Sequence, residues 1–411
     1  MGDVEPTPCR SCGSRALRSF LSLGKTPLAD ALVTADRLDR PDPTFPLDVA
    51  FCPSCTLVQI LEDVPPEQLF VDNYLYFSSF SDQLLRHAAA HVDGLITTRG
   101  LNPSSFVVEL ASNDGYLLRN FLPHGVKVLG VDPAPDQARA ARKSGVPTLE
   151  EFFGRDLARR IRDEHGPADV VIANNVMAHV PALNDFVGGI AELLADDGLL
   201  TVENPWVKDL VDHGAFDTIY HEHYYYYSCT SVDALMRRHG MFLNHVEYFA
   251  DLHGGTLRWH IGKREDVSAE AQRLLDLERE AGVTDFGYYA GFGERVDDIR
   301  RRLLGLLEEL KADGASIAAY GAAAKGSTML NFAGIGTGVI DFVVDRNTWK
   351  QGKYMPGVHV PIRPVDALLD EQPDYVLILA WNFTDEILAQ QQEYRRRGGR
   401  FIIPVPNPEI L

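Results

Sequence analysis

The sequence predicts an α/β protein in which a small zinc-binding domain precedes two Rossmann-like domains. Two Cys-x-x-Cys pairs open the chain, and two later regions, from Ser105 and from Ala315, alternate short β-branched runs with helical segments. Such alternation is typical of parallel sheets covered by helices. At 411 residues the chain also exceeds what one hydrophobic core usually serves. We expect domains over residues 1–65, 66–262 and 263–411.

The charge balance argues against several classes of partner. Lys and Arg number 39 against 58 Asp and Glu, a net charge of -19 that would repel nucleic acid. No apolar run approaches the roughly 20 residues that span a bilayer, and the N-terminus lacks the basic start and apolar centre of a signal peptide. We expect a cytoplasmic protein, monomeric, with neither a membrane nor a nucleic acid partner.

Four of the five cysteines predict a structural zinc site. Cys9 with Cys12 and Cys52 with Cys55 form two knuckles, each of which presents two thiolates to one tetrahedral ion. The gap between the pairs is longer than in the usual zinc ribbon. Disulfides and a thioredoxin-like redox pair remain alternatives, although the first favours secreted chains and the second needs a single pair before a helix. Cys229 is expected to be a buried small hydrophobe.

The first turn of the central region has the features of a cofactor site. Glu109 ends a strand, and the turn after it runs through Ala111 and Asn113 to Gly115, without G-x-G-x-x-G. An acidic residue there favours a cationic ligand such as S-adenosylmethionine, whose ribose hydroxyls Asp132 could accept. The predicted cofactor residues are Glu109, Ala111, Asn113, Gly115, Asp132, Pro133 and Asn174. An ordinary tight turn between a strand and a helix is the alternative.

The stretch Asp217 to Ser228, DTIYHEHYYYYS, concentrates titratable side chains. It holds His221, Glu222 and His223 together with five tyrosines. Glu and His are costly to bury, which favours a functional site. The alternative is an aromatic strand in which every second ring is buried.

Several motifs together resemble the sugar C-methyltransferases of antibiotic biosynthesis, which methylate C3 of thymidine-diphosphate (dTDP) 4-keto-deoxysugars. They are ELASNDGYLL, GVDPAP, the paired Cys-x-x-Cys and above all TIYHEHYYYYS. The resemblance spans nearly the whole chain. It implies an N-terminal zinc domain, a central class I S-adenosylmethionine methyltransferase domain, a C-terminal Rossmann-like domain and a dTDP-linked sugar substrate. The run Tyr224 to Tyr227 departs somewhat from the family pattern.

Methylation beside a ketone needs a base and a donor to the developing enolate oxygen. His223 can be the base, Glu222 can orient an imidazole, and Tyr220 can donate to the oxyanion. The resemblance makes His223 the favoured base and adds His179 and Tyr76 as site residues. Taken alone, His179 would be a surface loop histidine.

The C-terminal region offers a cationic turn. Gly321 begins a turn in which Lys325 and Ser327 lie at a helix start, a setting that suits phosphate. Arg346 and Lys350 follow in DRNTWKQGKYMPG, and GAAAKG and this segment resemble motifs with which the family binds its nucleotide sugar. We add His253, in a turn after Leu252, as a candidate that could approach the substrate. Solvated basic residues and an ordinary hairpin turn are the alternatives.

Two other functions remain compatible with the sequence. His221 and His223 could share one strand face and bind a catalytic zinc ion, as in a hydrolase. The chain could also be an NAD-dependent or non-catalytic nucleotide-sugar protein. An RNA methyltransferase with a zinc module is opposed by the net charge.

Overall fold

The N-terminal region folds into a small antiparallel sheet. The computed structural model describes residues 7–70, 76–252 and 254–411. Three strands pair in sequence order, each antiparallel to the next. They are β1 (Arg18–Pro27), β2 (Thr44–Phe51) and β3 (Val58–Ile60). Leu47, Val49 and Phe51 are buried at every second position of β2, as expected for a strand that packs one face on a core.

The four N-terminal cysteines form a cluster that fits one zinc ion. The Sγ atoms of Cys9 and Cys55 lie 3.5 Å apart, those of Cys12 and Cys52 lie 3.6 Å apart, and all four lie within 4.8 Å of one another. Zinc–sulfur bonds of about 2.3 Å in tetrahedral geometry place sulfurs about 3.8 Å apart, whereas a disulfide bond is about 2 Å long. The separations therefore fit a structural zinc ion and not a disulfide pair.

The central region forms a mixed seven-stranded sheet in the order β10-β11-β8-β7-β4-β5-β6. Its strands and the short β9 are β4 (Phe106–Leu110), β5 (Lys127–Val131), β6 (Thr148–Leu149), β7 (Ala168–Asn174), β8 (Leu194–Pro205), β9 (Tyr225–Tyr226), β10 (Phe242–Phe249) and β11 (Thr256–Gly262). The strands from β8 to β6 are parallel, and the β10–β11 hairpin adds antiparallel strands beside β8. The carboxyl ends of the parallel strands therefore meet at one edge, where ligands of such sheets bind.

Helices cover this sheet. They are α1 (Pro66–Phe70), α2 (Asp82–Arg99), α3 (Pro135–Lys143), α4 (Arg155–His165), α5 (Leu183–Leu193), α6 (Val207–Asp212) and α7 (Cys229–Arg238). The run DFVGGIAELLADDG predicts a helix that ends on Asp197-Gly198, whereas α5 ends at Leu193. The chain instead becomes extended at Leu194 and folds back tightly, so that a Cβ at Gly198 would lie 2.8 Å from Leu194 Cδ1.

The C-terminal region forms a second Rossmann-like sheet in the order β14-β13-β12-β15-β16-β17, parallel except for the last pair. Its strands are β12 (Ile317–Tyr320), β13 (Val343–Val344), β14 (Ile362–Arg363), β15 (Tyr375–Ile378), β16 (Arg400–Ile403) and β17 (Glu409–Ile410). The helices of this region and of the connection before it are α8 (Ala269–Glu280), α9 (Phe286–Ala290), α10 (Phe292–Ala312), α11 (Ala324–Ala333), α12 (Ala367–Glu371), α13 (Thr384–Gln390) and α14 (Gln392–Arg396).

The tyrosine-rich segment joins the N-terminal sheet. β9 pairs antiparallel with β3, so that Tyr226 lies opposite Val58 and Tyr225 opposite Gln59. The next residue, Tyr227, forms a bridge to Trp206 just beyond β8. One segment of the central region therefore completes the sheet beside the zinc cluster.

The N-terminal region also contacts the C-terminal region directly. Val33 forms a backbone bridge with Tyr354. The carboxylate of Asp42 accepts the N–H of Gly357 at 2.7 Å and lies 2.9 Å from the His359 ring nitrogen. Across the described ranges, no helix has the length and apolar character that a membrane crossing requires.

Loss of zinc should disturb the tyrosine-rich segment as well as the small sheet, because β9 pairs with β3. We expect Cys12→Ser to bind less than one zinc ion per chain and to lower the midpoint of thermal unfolding by about 5 °C or more, since structural zinc contributes directly to folding. Metal analysis and thermal unfolding measure both effects. Cys229→Ala, at a buried cysteine remote from the cluster, should keep its zinc; full zinc in Cys12→Ser would contradict the assignment.

Candidate active site

A large cavity lies at the carboxyl edge of the central sheet. Its volume is about 1080 Å³. Its wall includes Asp132 after β5, His223 before β9, Lys325 on α11 and Asp30 from the N-terminal region. All three regions of the chain therefore contribute to one cavity.

Most of the predicted site residues line this cavity. They are Tyr76, Ala111, Asn113, Asp132, Pro133, Asn174, His179, Tyr220, Glu222, His223, Lys325, Arg346 and Lys350. Four others, Glu109, Gly115, Gly321 and Ser327, are absent from the wall that the described residues form. His253 lies outside the described residues. The cavity therefore unites the predicted cofactor, catalytic and substrate groups, with four exceptions.

The turn after β4 is shaped by Asp132. Its Oδ2 accepts the N–H of Asn113 at 2.8 Å and its Oδ1 accepts the N–H of Ala134 at 2.9 Å. Burial raises the pKa of Asp132 to about 6, although these two N–H groups lower it. Ala111 and Asn113 both have positive φ angles, of 53° and 49°, so the turn curves sharply at the cavity wall. A carboxylate so held can accept hydrogen bonds from a ligand on its remaining lone pairs.

Tyr76 is fixed to the same turn through its backbone. The side-chain amide of Asn113 donates to the Tyr76 carbonyl at 3.1 Å, and the Gln137 amide donates to it at the same distance. The side-chain oxygen Oδ1 of Asn113 accepts the N–H of Ser78 at 2.9 Å. The segment that precedes α2 therefore closes over the predicted cofactor turn, with the Tyr76 ring in the cavity wall.

Glu109 lies behind the turn and not in the cavity wall. The residue is 1% exposed, and burial raises the pKa of its carboxyl well above the ordinary value. The predicted contact between this carboxylate and a cofactor cation is therefore not present in the geometry. Gly115 also lies behind the wall, where its φ of 76° favours glycine and a Cβ would lie 3.0 Å from the Val146 side chain.

The Tyr220 and His223 side chains form a hydrogen-bonded pair. The Tyr220 hydroxyl lies 3.1 Å from His223 Nε2, and their ring centroids are 4.1 Å apart. His223 Nδ1 lies 3.0 Å from the Thr218 carbonyl, which can only accept. In the neutral ring the proton is therefore on Nδ1, and Nε2 is the basic nitrogen that accepts from Tyr220.

His179 contacts the ring of His223. The two rings meet edge to face with centroids 4.7 Å apart. Burial, with a smaller contribution from His223, holds the pKa of His179 well below its ordinary range, so this imidazole is neutral. The simple interpretation as a surface loop histidine is therefore wrong, because the 3₁₀ turn Met177–His179 carries the ring into the cavity wall.

Glu222 pairs with the N-terminal region and not with a histidine. Its Oε1 accepts the N–H of Asp30 at 3.3 Å, whereas Oε2 has no hydrogen-bond partner within the described part of the chain. The residue is 4% exposed, and burial, together with the nearby Asp30 charge, raises its pKa to about 8. The prediction that Glu222 orients the imidazole of His223 is not supported, because the Thr218 carbonyl does so.

His221 points away from the cavity. Its Nε2 lies 3.0 Å from the Pro46 carbonyl, and its ring packs edge to face on Phe45. His221 and His223 do not share a strand face because β9 begins only at Tyr225. Within the described ranges, the cysteine cluster is the one group of His, Cys, Asp and Glu side chains close enough to hold a metal ion. The hydrolase alternative therefore lacks its metal site.

All four tyrosines after His223 are buried. Tyr225, Tyr226 and Tyr227 line the cavity, and Tyr224 packs outside its wall. The Tyr225 hydroxyl donates to the Pro181 carbonyl and that of Tyr227 to the Met177 carbonyl, both at 2.9 Å. The alternative of an aromatic strand with every second ring buried is therefore wrong, because all four rings are buried.

Cationic side chains line the cavity in the C-terminal region. Lys325 Nζ donates to the Asn382 side chain at 2.9 Å, and Lys350 Nζ donates to the Ala322 carbonyl at 2.7 Å. Arg346 lies 3.3 Å from Glu386. In a protein of net charge -19 these side chains are a local group of cationic residues at the cavity wall.

Gly321 and Ser327 support this end without lining it. Gly321 has a φ of 96°, and a Cβ there would lie 2.9 Å from Ala380 Cβ, so the close approach of two turns requires glycine. Ser327 is 1% exposed inside α11. The predicted hydroxyl contact with phosphate is therefore not available to Ser327.

Sequence reasoning missed several residues of the cavity. Asp30 contacts Glu222 from 192 positions away, which no local pattern could indicate. Asn204 lines the cavity near the end of β8 with neither polar side-chain atom paired within the described residues. Its place at a strand end beside the cofactor turn was a usable signal. Trp381, which lies outside the cavity wall but contacts both Asp217 and Lys325, had no such signal in the sequence.

Comparison with known proteins identifies the class and then the family. Residues 83–245 match a methyltransferase domain family, residues 9–70 a zinc binding domain family, and residues 251–406 the C-methyltransferase C-terminal domain. The fold and these matches define an S-adenosylmethionine-dependent methyltransferase. The chain is 35% identical over 406 residues to the C-methyltransferase NovU of Streptomyces niveus, covering 98% of this chain and 96% of NovU. It therefore belongs to the C-methyltransferase family, which confirms the resemblance drawn from its motifs.

Solved methyltransferase structures align with part of the chain. The magnesium protoporphyrin IX methyltransferase of Synechocystis PCC 6803 with bound S-adenosylmethionine aligns at a TM-score of 0.35 and 14% identity, covering 48% of this chain and 89% of that one. A methyltransferase from Anabaena variabilis aligns at 0.34 and 14% identity, covering 43% and 84%.

Glu222 should make stability depend on pH. A carboxyl with a raised pKa binds a proton in the folded chain but not in the unfolded chain between about pH 4.5 and 8. Its contribution to the free energy of unfolding therefore falls by about 1.4 kcal/mol per pH unit across this window. Glu222→Gln removes this dependence, so its stability relative to the parent protein should rise from pH 5 to 8 and level off above.

Urea unfolding at several pH values measures this difference. Glu308→Gln, at an exposed glutamate on α10, is the matched control and should follow the parent protein at every pH. A difference for Glu222→Gln that stays constant from pH 5 to 9 would show that its carboxyl has an ordinary pKa.

Proposed function

We propose that the protein methylates C3 of a dTDP-linked 4-keto-deoxysugar in the biosynthesis of a branched sugar of a natural product. The observation that carries this proposal is the Tyr220–His223 pair, which lies in the same cavity as the cofactor turn and the cationic C-terminal residues. This arrangement supplies a base, a hydroxyl donor and an anion site within reach of one ligand.

The proposed base is Nε2 of His223, the ring nitrogen that carries no proton when Nδ1 donates to the Thr218 carbonyl. His223 Nε2 takes the proton from the carbon beside the ketone, and the electron pair of the C–H bond becomes an enolate. The protonated Nε2 can no longer accept from Tyr220. The Tyr220 hydroxyl is then available to donate to the enolate oxygen, while the Thr218 carbonyl keeps accepting from Nδ1.

The cofactor residues assigned to this domain are Asp132 and the turn that it holds. S-adenosylmethionine supplies a methyl group on a good leaving group, so its transfer to carbon needs alignment and little acid–base assistance. With the cofactor bound, methyl transfer would exchange the C–S bond for a C–C bond, and one proton would remain on His223 for release to solvent. His179 lies beside His223 and is neutral, so it does not repel the positive charge that forms on the His223 ring when it takes the proton.

The anion site is the proposed place for the two phosphates of the nucleotide. Lys325, Lys350 and Arg346 all line the cavity in the C-terminal region. Cations that converge on a cavity in an acidic protein favour a phosphate ligand. We therefore propose that these three residues contact the phosphates of the dTDP group.

Analysis of the reaction products tests the proposed substrate class. The enzyme is incubated with S-adenosylmethionine and dTDP-4-keto sugars that carry a hydroxyl or an amino group at C3, and mass spectrometry is followed by NMR of the product. A single methyl group at C3 supports the proposal. A 4-ketone also activates C5, so a methyl group at C5 would overturn the position of transfer, and no product from any keto sugar would overturn the substrate class.

His223→Ala should lower methyl transfer by about 10² to 10⁴-fold, because it removes the base. It should equally slow the exchange of the α-proton of the keto sugar with D₂O, a measure of deprotonation alone. Affinity for S-adenosylmethionine, from calorimetry, should stay within about threefold. His124→Ala, at an exposed histidine outside the cavity wall, is the control. Full exchange activity in His223→Ala would assign the base elsewhere.

Lys325→Met should weaken binding of the nucleotide part of the substrate. Methionine keeps a flexible apolar stem beside Trp381 but removes the charge, so KM for the sugar nucleotide and Kd for dTDP should rise by about tenfold or more. Lys127→Met, at an exposed lysine on β5, should change neither constant. An unchanged Kd for dTDP in Lys325→Met would place the phosphates away from α11.

A further inference from the structure

The turn that precedes the Tyr220–His223 pair is hydrogen-bonded to the C-terminal region. Asp217, in the 3₁₀ turn Phe216–Thr218, is 0% exposed. The indole Nε1–H of Trp381 donates to Asp217 Oδ2 at 2.7 Å. Beside this bond the Phe216 ring packs on Phe332 of α11, with centroids 5.4 Å apart. A buried hydrogen bond and an aromatic contact therefore hold this turn against the C-terminal region.

The same turn orients the base. The carbonyl of Thr218, the residue after Asp217, accepts from His223 Nδ1 at 3.0 Å. A displacement of the turn would move this carbonyl and, with it, the direction of the Nε2 lone pair. The contact with Trp381 and the contact with His223 are therefore separated by one peptide unit.

Trp381 also contacts the proposed phosphate site. Lys325 Nζ lies 4.8 Å from the centroid of its indole ring, within the range of a cation–π interaction. The amine of Lys325 is bonded to Asn382, the next residue after Trp381. One side chain therefore touches the turn that holds the base and the lysine that would bind the nucleotide.

We propose that Trp381 and Asp217 are positioning residues through which the C-terminal region sets the orientation of His223 for deprotonation. This inference rests on the proposed role of His223 as the base. The bond between Trp381 and Asp217 joins the nucleotide-binding part of the enzyme to its proton-transfer part. A substrate anchored at Lys325 thus meets a base whose direction is set from the same region.

Trp381→Phe tests this directly. Phenylalanine keeps an aromatic face for Lys325 but removes the Nε1–H donor to Asp217. We expect α-proton exchange and kcat for methyl transfer to fall together by about 10 to 100-fold, because small misplacements of a catalytic group have effects of that size. KM for the sugar nucleotide and Kd for dTDP should change by less than about threefold.

Two further variants separate positioning from stability. Tyr288→Phe removes a comparable ring donor, the hydroxyl 2.5 Å from Asp212, between α9 and α6 and outside the cavity wall. It should leave exchange and kcat unchanged. Asp217→Asn keeps an oxygen that can accept from Trp381 and should retain more activity than Trp381→Phe.

The inference is overturned if Trp381→Phe keeps normal α-proton exchange or if only KM changes. It is also overturned if the fractional loss of activity equals the fraction of the variant that is unfolded at the assay temperature, as measured by thermal unfolding. A substrate-free measurement separates this result from failure of the proposed function. In NMR of ¹⁵N-histidine-labelled protein, with His223 assigned through His223→Ala, the parent protein should show the Nδ1–H form. Trp381→Phe should show a mixture of the two neutral forms, and an unchanged spectrum would contradict positioning whatever the substrate proves to be.

Discussion

The pairing of β9 with β3 is the interaction on which the active site depends. β9 consists of two residues, Tyr225 and Tyr226, and a strand of that length cannot persist without a neighbouring sheet. The neighbour is a strand that directly follows the second cysteine knuckle. Tyr220, Glu222 and His223 lie in the five positions before β9, so their backbone path is set by a sheet that the cysteine cluster stabilises. The zinc domain thus helps to set the backbone path of the segment that carries the predicted catalytic residues.

Burial at this site favours the neutral forms of both acidic and basic side chains. The pKa values of Asp132 and Glu222 are raised and those of His179 and Lys325 are lowered, and in each case burial is the largest cause. Burial disfavours the charged form of acids and bases alike. These four side chains are therefore more easily kept neutral than they would be in water.

Short sequence patterns were enough to predict those features that depend on residues close together in the chain. Strand and helix alternation and the Cys-x-x-Cys pairs were recognisable because each depends on residues close in sequence. The start of β8 was missed because Leu193 and Leu194 suit a helix as well as a strand. The site was predicted as a set of residues but not as contacts: Glu222 meets Asp30 and Asp217 meets Trp381 across 192 and 164 positions. Such pairs have no periodic signal, and the partner of a buried carboxyl is visible only in three dimensions.

Through these two long-range contacts, the N-terminal and C-terminal regions both reach the segment that carries the predicted catalytic residues. Asp30 of the N-terminal region contacts Glu222 on one side of His223, and Trp381 of the C-terminal region contacts Asp217 on the other. The turn of the central region that holds Asp132 completes the cavity between them. The segment from Asp217 to Tyr227 therefore contacts different regions along its length, and its middle carries His223, the base in the proposed function. Such contacts favour the fixed alignment of carbon, methyl group and sulfur that methyl transfer needs.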